Sequence, residues 1–307
     1  MTKYAISIIG AGRVGRALGR CLHERGWKIH AVVTKSEATA RRAVRSIGGG
    51  RAYAEISQAV FSAPIILICF PESAIPGVVT RLASFGEGEL RKKIVLHTSG
   101  ALGSGVLAQL RNVGAAIGSI HPLQTFSGVG VPDLDGKVFA IEGDPAALRI
   151  ARVITRTLGG QPVQLDATTK PLYHAAAVLA AGHLLALQET AVQIFAGLGM
   201  KRREALKALL PLARQTLQNL ERLGPRAAWT GPLARGDYAM IALHEDALQS
   251  APLEYLDAYR ALNYLAARVL ARDPHAAISE LARISSKNDL GSQSKAGGQL
   301  EAIADSR

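Results

Sequence analysis

The sequence contains little cysteine, few aromatic residues and no basic run interleaved with aromatic residues. Its two cysteines, Cys21 and Cys69, are far apart, so they offer neither a disulfide framework nor a metal-binding knuckle. We predict that both are buried, reduced thiols. Aromatic residues make up only 5% of the chain. We therefore predict no metal site and no nucleic-acid partner.

The sequence also lacks a recognisable leader and a long apolar segment. The opening residues, MTKYAISIIGAG, show no cleavage-site pattern and predict a first strand rather than a signal peptide. The most apolar run, AAAVLAAGHLLAL, is too short to span a bilayer and contains a histidine. We expect a cytoplasmic protein with no membrane partner.

Positive charge is concentrated at the start of the chain. The formal net charge is +12, and residues 1–50 hold ten Lys and Arg against two acidic residues, a net of +8. A cluster this local suits one polyanionic cofactor as well as it suits a nucleic-acid backbone. We favour the cofactor.

Length and hydrophobic pattern predict two folded domains. The chain of 307 residues exceeds the usual size of one domain. Short apolar strands alternate with helices of ten or more residues in the first half, which is typical of a doubly wound parallel sheet, the Rossmann fold. We predict this α/β domain over residues 1–166, an all-α domain over 167–285, and a polar, Gly/Ser-rich flexible tail over 286–307.

Three long helical segments are expected in the second half, near residues 169–198, 201–223 and 252–271. The first of them is apolar over much of its length. A small domain does not easily cover so much hydrophobic surface, so we expect a homodimer formed through the helical half.

A glycine-rich loop, IIGAGRVGRALG, joins the first predicted strand to the first helix. Gly10 permits a tight turn, Gly12 lets the backbone approach a pyrophosphate, and Gly15 lets the helix pack on the sheet. The strand, helix and second strand follow in the order that a dinucleotide site requires. We predict such a site, with Arg13 and Val14 in contact with the cofactor; a glycine-rich turn without a ligand is the alternative.

The tip of the second predicted strand discriminates between NAD(H) and NADP(H). An acidic residue there would bind the ribose diol and repel a 2′-phosphate. This chain instead has hydroxyls and cations at and after the tip: Thr34, Lys35, Ser36, Arg41 and Arg42. These groups suit a phosphate, so we predict NADP(H) rather than NAD(H). The alternative is that the two arginines only solvate a helix face, and Glu37 lies close to them.

Three loops follow the carboxyl ends of predicted strands, where open parallel sheets bind ligands. In the first, FPES, Phe70 and Pro71 are expected along the cofactor. The second is HTSG and the third is HPLQTF. Their hydroxyls and amide can bind a substrate carboxylate, and the histidine can bind it or polarise a carbonyl; the residues concerned are Thr98, Ser99, His121 and Gln124. For each of them, capping of a local turn is the alternative.

Five motifs in this order resemble one family: GAGRVG, HTSGAL, GSIHPLQTFS, KPLYHAAAVLAAGHLLAL and TGPLARGD. The chain resembles two-domain Rossmann-like proteins of the 6-phosphogluconate dehydrogenase-like superfamily whose C-terminal half is a domain of unknown function, DUF2520. That family is similar to ketopantoate reductases, pyrroline-5-carboxylate reductases, prephenate dehydrogenases and deazaflavin-dependent NADP oxidoreductases. The resemblance implies an NADP-dependent reductase of a small 2-oxo acid, with ketopantoate as the most concrete substrate.

The resemblance also implies a catalytic group at the start of the first long helix of the second domain. The superfamily commonly has a lysine there and an asparagine one turn later; here the pair is Lys170 and His174, with Tyr173 beside them. A cation near a helix N-terminus opposes the macrodipole, which favours loss of its proton. We predict that Lys170 faces the nicotinamide and protonates the substrate, and that His174 orients the lysine or substitutes for it. Thr98, Ser99 and His121 are expected to hold the carboxylate, with Tyr173 also in contact with the substrate. A solvated lysine and a core histidine are the alternative.

Two further positions bear on the substrate. Relatives commonly have an asparagine in a segment like ASNH, where this chain has Gly182 in AAGH; its loss implies altered substrate contacts, more space or a divergent activity. In GPLARGD, Arg235 suits a substrate carboxylate. The alternative is that Arg235 pairs with Asp237 and fixes a loop between helices.

Two other functions remain open. One is an imine reductase or a prephenate-type dehydrogenase. The other is a dinucleotide-binding sensor without catalysis, against which the set of Lys170, His174 and the HTSG loop argues.

Overall fold

The computed structural model describes the backbone of residues 4–304 and the side chains of residues 4–289. Two compact units divide the chain, Met1–His183 and Leu184–Arg307. Eight strands in the described residues form one sheet: β1 Ala5–Ile9, β2 Lys28–Val33, β3 Arg51–Tyr53, β4 Ile65–Ile68, β5 Ile94–His97, β6 Ala116–Pro122, β7 Val138–Gly143 and β8 Gln161–Gln164.

The strand order is β3-β2-β1-β4-β5-β6-β7-β8, and the pairs are parallel except β6 with β7. The order β3-β2-β1-β4-β5-β6 is that of a doubly wound dinucleotide-binding fold. The predicted Rossmann-like sheet is therefore confirmed. The antiparallel pair departs from the prediction because the segment between β6 and β7 has no helix, and a parallel pair needs a crossover of that kind.

Helices flank the strands in the first unit and make up the second. Their bounds are α1 Arg13–Glu24, α2 Glu37–Ile47, α3 Ile75–Ala83, α4 Glu87–Leu90, α5 Ala108–Asn112, α6 Pro145–Thr157, α7 Lys170–Val178, α8 Leu184–Gly197, α9 Arg202–Leu223, α10 Pro225–Ala228, α11 Tyr238–Leu248, α12 Leu253–Leu270 and α13 Pro274–Ala304. A π turn, Leu179–His183, follows α7, and 3-10 turns occur at Gln58–Ser62, Glu72–Ala74, Ser104–Leu107, Ala167–Thr169 and Leu233–Arg235.

The sheet separates two hydrophobic cores. In β1, Ile6 and Ile8 face one core and Ile9 faces the other; in β4, Leu67 and Ile66 are divided in the same way. Both faces are buried, which is why the central strands are continuous apolar runs without polar alternation. The carboxyl ends of β1, β2, β4 and β5 lie at one edge, where their loops can form a site.

The first compact unit ends at His183, whereas the sequence predicts a domain change after residue 166. The carboxylate of Asp166 accepts the Thr168 amide at 2.8 Å, and α7 starts two residues later. The Lys170 side chain then bonds to residues that follow β5 and lie within β6. These contacts hold α7 to the sheet, so the unit extends past the last strand.

The helical run Ala167–Gly197 is 31 residues long and, by length and composition only, could cross a membrane. The expectation that its apolar run is too short for a span is wrong, because 3-10, α and π segments continue into one another without a break. The same criterion is met by core helices of soluble proteins.

The second unit is helical, as predicted. Its core includes Ile241 of α11, Ala267 of α12, and Leu281 and Ile284 of α13. The backbone of α13 continues to Ala304, over most of the segment predicted as a flexible tail; the side chains from residue 290 onwards are outside the described set. The mobility of residues 286–307 stays a prediction.

Candidate active site

The glycine loop has the geometry that a dinucleotide requires. Gly10 adopts φ +89°, and a Cβ there would lie 2.7 Å from the Cys69 carbonyl oxygen. A Cβ on Gly15 would lie 2.8 Å from the Gly10 carbonyl oxygen, so the close approach of α1 needs this glycine. Around Gly12 the space is open, and no side chain caps the first turn of α1. The loop therefore presents free amides to an open volume that fits a pyrophosphate.

A cleft of about 540 Å³ opens beside this loop. Of the residues predicted to bind the cofactor, Gly10, Gly12, Thr34, Lys35, Phe70 and Pro71 line it. Arg16, Thr39 and Arg42 line it as well. The cleft thus contains the glycine loop, two hydroxyls and three cations.

Five predicted cofactor residues do not line this cleft; one of them is Gly15, which instead lets α1 approach the Gly10 carbonyl. Arg41 pairs with Glu37 at 2.5 Å on the exposed face of α2, and the Ser36 hydroxyl caps α2 by accepting the Thr39 amide at 3.4 Å. Val14 packs against the core beneath α1. Arg13 lines a smaller cavity, of about 170 Å³, together with the loop after β6. Arg42 takes the place expected for Arg41, because successive residues point about 100° apart around a helix.

A second cleft in the first unit, of about 520 Å³, has a polar end and a wall of small residues. The polar end is formed by four of the predicted substrate or catalytic residues: His121, Gln124, Tyr173 and His174. The wall comes from the alanines of α7 and from the π turn, which includes Gly182. A Cβ on Gly182 would meet only Val178 Cγ1, at 3.8 Å, so the glycine leaves room in the cleft that a larger residue would fill.

Two imidazoles and a phenol are in mutual contact at this polar end. His121 Nδ1 and the Tyr173 hydroxyl are 2.9 Å apart, and the His121 and His174 rings meet edge to face at 5.7 Å. A Cβ on Gly100 would collide with both histidines, so the glycine of HTSG is what lets them approach the turn. This steric requirement links the HTSG and HPLQTF loops to α7.

Burial determines the protonation of this cluster. It lowers the pKa of His121 to about 4, helped by the charges of Lys170 and His174 and opposed by Glu72. It raises the pKa of Tyr173 to about 12. His121 and Tyr173 are therefore both neutral near pH 7, with one donating to the other.

Ser99 is buried and its hydroxyl is fully used inside the protein. The hydroxyl donates to Glu72 Oε1 at 2.8 Å and accepts the amides of Ala101 and Leu102 at 3.2 and 3.0 Å. The Thr98 side chain hydrogen-bonds the Cys69 thiol. The only hydroxyl proton of Ser99 is thus already donated within the protein. A contact between Ser99 and a substrate carboxylate stays a prediction.

Lys170 is completely buried, contrary to the prediction that it faces an open cleft. Its Nζ donates to the Ser99 carbonyl oxygen at 3.0 Å and to Ser119 Oγ at 2.9 Å. Burial lowers its pKa to about 8, and the carboxylate of Glu142 opposes this shift. The ammonium turns inward because two acceptors of the sheet lie within reach of the first turn of α7.

His97, the other histidine of the strand-end loops, has a structural role. It is buried and accepts the Ser99 amide on Nδ1 at 3.2 Å, so its proton lies on Nε2, which donates to the Gly103 carbonyl oxygen at 3.3 Å. Burial lowers its pKa to about 4.

Three polar residues of the site were missed from the sequence: Glu72, Ser119 and Glu142. Burial tends to raise the pKa of Glu72, but its own amide, Ser99, His174 and His121 together lower it. Glu142 is 9% exposed and accepts the Ser104 amide and hydroxyl. A glutamate within the apolar strand VFAIEG was the available signal, since buried carboxylates need partners.

Arg235 belongs to the second unit, where it is exposed in the turn Leu233–Arg235. Asp237 does not fix the loop through Arg235; its carboxylate accepts the Met240 amide at 3.2 Å and caps α11. A substrate contact for Arg235 stays a prediction. Within the part of the chain that the structure describes, no group of three metal-ligating side chains occurs.

Comparisons with known proteins agree with this architecture. A Rossmann-like domain model matches residues 1–122, and the model of a domain of unknown function, DUF2520, matches residues 137–265. No curated protein matches the chain.

Solved structures share the fold at low sequence identity. A candidate NADP oxidoreductase from Bacteroides fragilis has a TM-score of 0.69 and 23% identity, over 84% of this chain and 96% of its own. Pyrroline carboxylate reductase of Plasmodium falciparum, with NADP bound, has a TM-score of 0.58 and 12% identity over 94% and 98%. A reductive aminase from Aspergillus terreus, in complex with NADPH and ethyl-5-oxohexanoate, has a TM-score of 0.59 and 16% identity over 95% and 95%.

Proposed function

For a chain that joins a Rossmann-like domain to a DUF2520 domain, we propose an NADP(H)-dependent oxidoreductase that reduces a C=O or C=N bond of a small molecule. One observation carries the proposal. Phe70 and Pro71 line the cofactor cleft, and the next residue, Glu72, is bonded to the Ser99 turn against which His121 and His174 pack. A short series of neighbouring residues therefore leads from the dinucleotide cleft to the imidazole–phenol cluster.

The cofactor is proposed to be NADP(H). The glycine loop fits a pyrophosphate, and Thr34, Lys35 and Arg42 line the part of the cleft after β2, where a 2′-phosphate would lie. Glu37, the nearest carboxylate to that tip, is occupied by Arg41. The similar structures from Plasmodium and Aspergillus hold NADP and NADPH, which supports the same choice.

Tyr173 is the proposed proton donor of the cleft. NADPH bound in the cofactor cleft would supply the hydride. With the His121 proton on Nδ1, the imidazole donates to the phenol oxygen at 2.9 Å, and the Tyr173 proton is free to point into the cleft. The buried Lys170 then supports the Ser99 turn from behind and does not protonate the substrate itself. This modifies the role as general acid that the resemblance implies.

The substrate class has two candidates. A small 2-oxo acid, with ketopantoate as the most concrete guess, follows from the resemblance. An imine is favoured by the cleft itself, because no Lys or Arg is among the described residues that line it and a carboxylate would find no cation there. The similarity to a reductive aminase supports the second candidate.

A homodimer in the cytoplasm is part of the proposal. Large apolar side chains are exposed on both compact units, with Leu172 at 77%, Leu185 at 70% and Leu198 at 79%. Patches of this kind mark association surfaces in soluble proteins. The helical run Ala167–Gly197 carries the first two and ends just before the third, and it is the proposed place of dimer contact.

The test combines binding and turnover on the full chain. We expect NADPH, followed by its fluorescence, to bind at least about tenfold more tightly than NADH, since a charge-assisted contact to phosphate contributes about 1.5–3 kcal/mol. NADPH oxidation is then measured against keto acids, including ketopantoate, and against cyclic imines. Turnover of one class is expected, and Tyr173→Phe should lower its kcat about a hundredfold, as for loss of a general acid.

Matched variants separate cofactor choice from catalysis. Arg42→Ala should weaken NADPH binding and leave NADH binding unchanged, while Arg45→Ala, an exposed residue further along α2 that does not line the cleft, should affect neither. Equal affinity for the two dinucleotides would refute the NADP(H) assignment. NADPH binding without turnover on any substrate would favour a sensor over an enzyme.

A further inference from the structure

Three elements of the first unit meet around one buried carboxylate. Ser119 of β6 and Glu142 of β7 are cross-strand partners. Ser104, at the start of a 3-10 turn, donates its hydroxyl to Glu142 Oε1 at 2.6 Å and its amide to Oε2 at 2.7 Å. Ser119 Oγ lies 3.3 Å from the same Oε2. The carboxylate thus receives three hydrogen bonds away from solvent.

The Ser119 hydroxyl joins this carboxylate to Lys170, and the two hydrogen bonds can have only one direction of donation. An ammonium can only donate, so Ser119 Oγ accepts from Lys170 Nζ at 2.9 Å and its own proton is left for Glu142. A second ammonium proton goes to the Ser99 carbonyl oxygen at 3.0 Å. The result is a line of carboxylate, hydroxyl, ammonium and carbonyl across β7, β6, α7 and the turn after β5.

The turn at the end of this line borders the substrate cleft. Ser99 holds Glu72 through its hydroxyl, and the next residue, Gly100, is the surface on which His121 and His174 pack. Any shift of the Ser99 carbonyl is therefore passed to the groups that face a substrate.

We propose that Glu142 is a positioning residue for the reaction: through Ser119 it keeps the Lys170 ammonium fixed beneath the Ser99 turn, and so sets the place of His121. The proposal rests on the proposed function, because a positioning residue presupposes that the protein catalyses a reaction. The arrangement itself exists without cofactor or substrate, and it can be measured without them.

The charged groups of this cluster change one another's pKa values. Burial, the largest effect, lowers the pKa of Lys170, and Glu142 raises it. Burial also lowers the pKa of His121, and the surrounding groups that act on it are Lys170 and His174, which lower it, and Glu72, which raises it. Removal of the Glu142 charge must therefore lower the pKa of Lys170. A Lys170 that loses its proton must then let the pKa of His121 rise.

Glu142→Gln removes the charge while its hydrogen bonds can be kept. The amide oxygen can take the place of Oε2 and accept from the Ser104 amide and Ser119, and the amide nitrogen can take the place of Oε1 and donate to the Ser104 hydroxyl. Ser104→Ala is the matched control, because it removes a hydrogen bond from Glu142 and leaves the charge. A merely structural role would lower stability in both variants and leave the titration of Lys170 unchanged.

The experiment follows the titration of Lys170 by NMR in the full chain with ¹³C-labelled lysine, assigned by Lys170→Met. In Glu142→Gln the midpoint should fall by about one pH unit or more, as for loss of an opposite charge at short range. In Ser104→Ala the Lys170 midpoint should stay close to that of the parent. With a substrate in hand, kcat of Glu142→Gln should fall about tenfold at pH 7 and the KM for NADPH should not change.

An unchanged Lys170 midpoint in Glu142→Gln overturns the proposal, whatever the activity. If that variant does not fold, Ser119→Ala decides instead: loss of the bridging hydroxyl must lower the Lys170 midpoint, and an unchanged midpoint refutes the role of the relay. Because the titration needs no substrate, absence of turnover on every compound would refute the proposed function and leave this result standing.

Discussion

Among residues 4–289, each compact unit contains one buried glutamate that is tied to a cation, and the two pairs are built differently. In the first unit Glu142 reaches Lys170 through the Ser119 hydroxyl. In the second, Glu245 is 1% exposed and pairs directly with Arg260, whose Nε lies 2.9 Å from Oε2. One cation can lose its proton within an accessible pH range and the other cannot.

The surroundings of the two pairs also differ: Arg260 joins helices, whereas Lys170 lies beside the proposed substrate cleft. Arg260 also bonds Asp289 at 2.9 Å and the Ser285 carbonyl oxygen at 3.4 Å, so it joins α11, α12 and α13. Lys170 bonds only short polar groups of the sheet and the Ser99 turn, next to the cleft. The comparison teaches that a permanent charge serves where helices are joined, whereas a titratable charge lies where chemistry is proposed.

The largest expected effect is loss of the arginine pair. Arg260→Met should lower the free energy of unfolding by about 3–5 kcal/mol, because it leaves the buried Glu245 carboxylate without a cation. The remaining donors, Ser285 at 3.2 Å and Asn288 at 3.5 Å, are too weak to compensate. Urea denaturation followed by circular dichroism measures the change.

The control for this variant is the double replacement Arg260→Met with Glu245→Leu, which removes both charges and should recover much of the lost stability. A loss below about 1 kcal/mol in the single variant would show that the arginine pair is not the stronger structural element of the two.

The second effect distinguishes the pairs by pH. Lys170 has a pKa near 8 in the folded chain against 10.5 for an ordinary lysine, so the unfolded chain binds more protons between these values. Stability should therefore rise with pH across that window, by up to about 3 kcal/mol at about 1.4 kcal/mol per pKa unit, with no contribution to the slope below pH 8. Urea midpoints at pH 7, 8, 9 and 10 measure it.

The contribution of Lys170 is the difference between the pH dependence of stability in the parent chain and in Lys170→Met. This subtraction is needed because burial raises the pKa of the Cys69 thiol to about 12, and such a group lowers stability as the pH rises. Arg260→Met should keep the slope of the parent chain. Parallel curves for the parent and Lys170→Met would contradict the lowered pKa of the lysine.

The smallest expected effect is loss of an exposed ion pair, which tests whether burial makes the inner pairs important for stability. Arg81 and Glu55 are 2.8 Å apart, with side chains 55% and 75% exposed. Arg81→Gln should change the free energy of unfolding by less than about 1 kcal/mol, and added salt should reduce even that. An effect as large as that of Arg260→Met would mean that burial is not what distinguishes the inner pairs.

The α/β architecture and the glycine loop could be predicted from the sequence, because both depend on local pattern. Continuous apolar strands require two covered faces, and glycines such as Gly10 and Gly15 occupy places that a Cβ cannot enter. The contact of the HTSG and HPLQTF loops also follows from local information, since both come after neighbouring parallel strands.

The directions of individual side chains could not be predicted in the same way. Lys170 turns inward because Ser99 and Ser119, 71 and 51 residues away in the chain, offer acceptors, and no local signal reports them. Arg42 lines the cofactor cleft in place of Arg41 because the cap at Ser36 sets the rotation of α2. Such choices depend on tertiary partners.

The cross-strand pair of Ser119 and Glu142 has a further consequence for how the chain folds. β7 joins the sheet antiparallel to β6 after a segment without a helix, so no crossover determines where it docks. A slip of one residue would turn every side chain of β7 to the opposite face and leave a carboxylate among aliphatic residues without a donor. The polar group that is proposed to tune the cleft therefore also selects the correct alignment of the strand during folding.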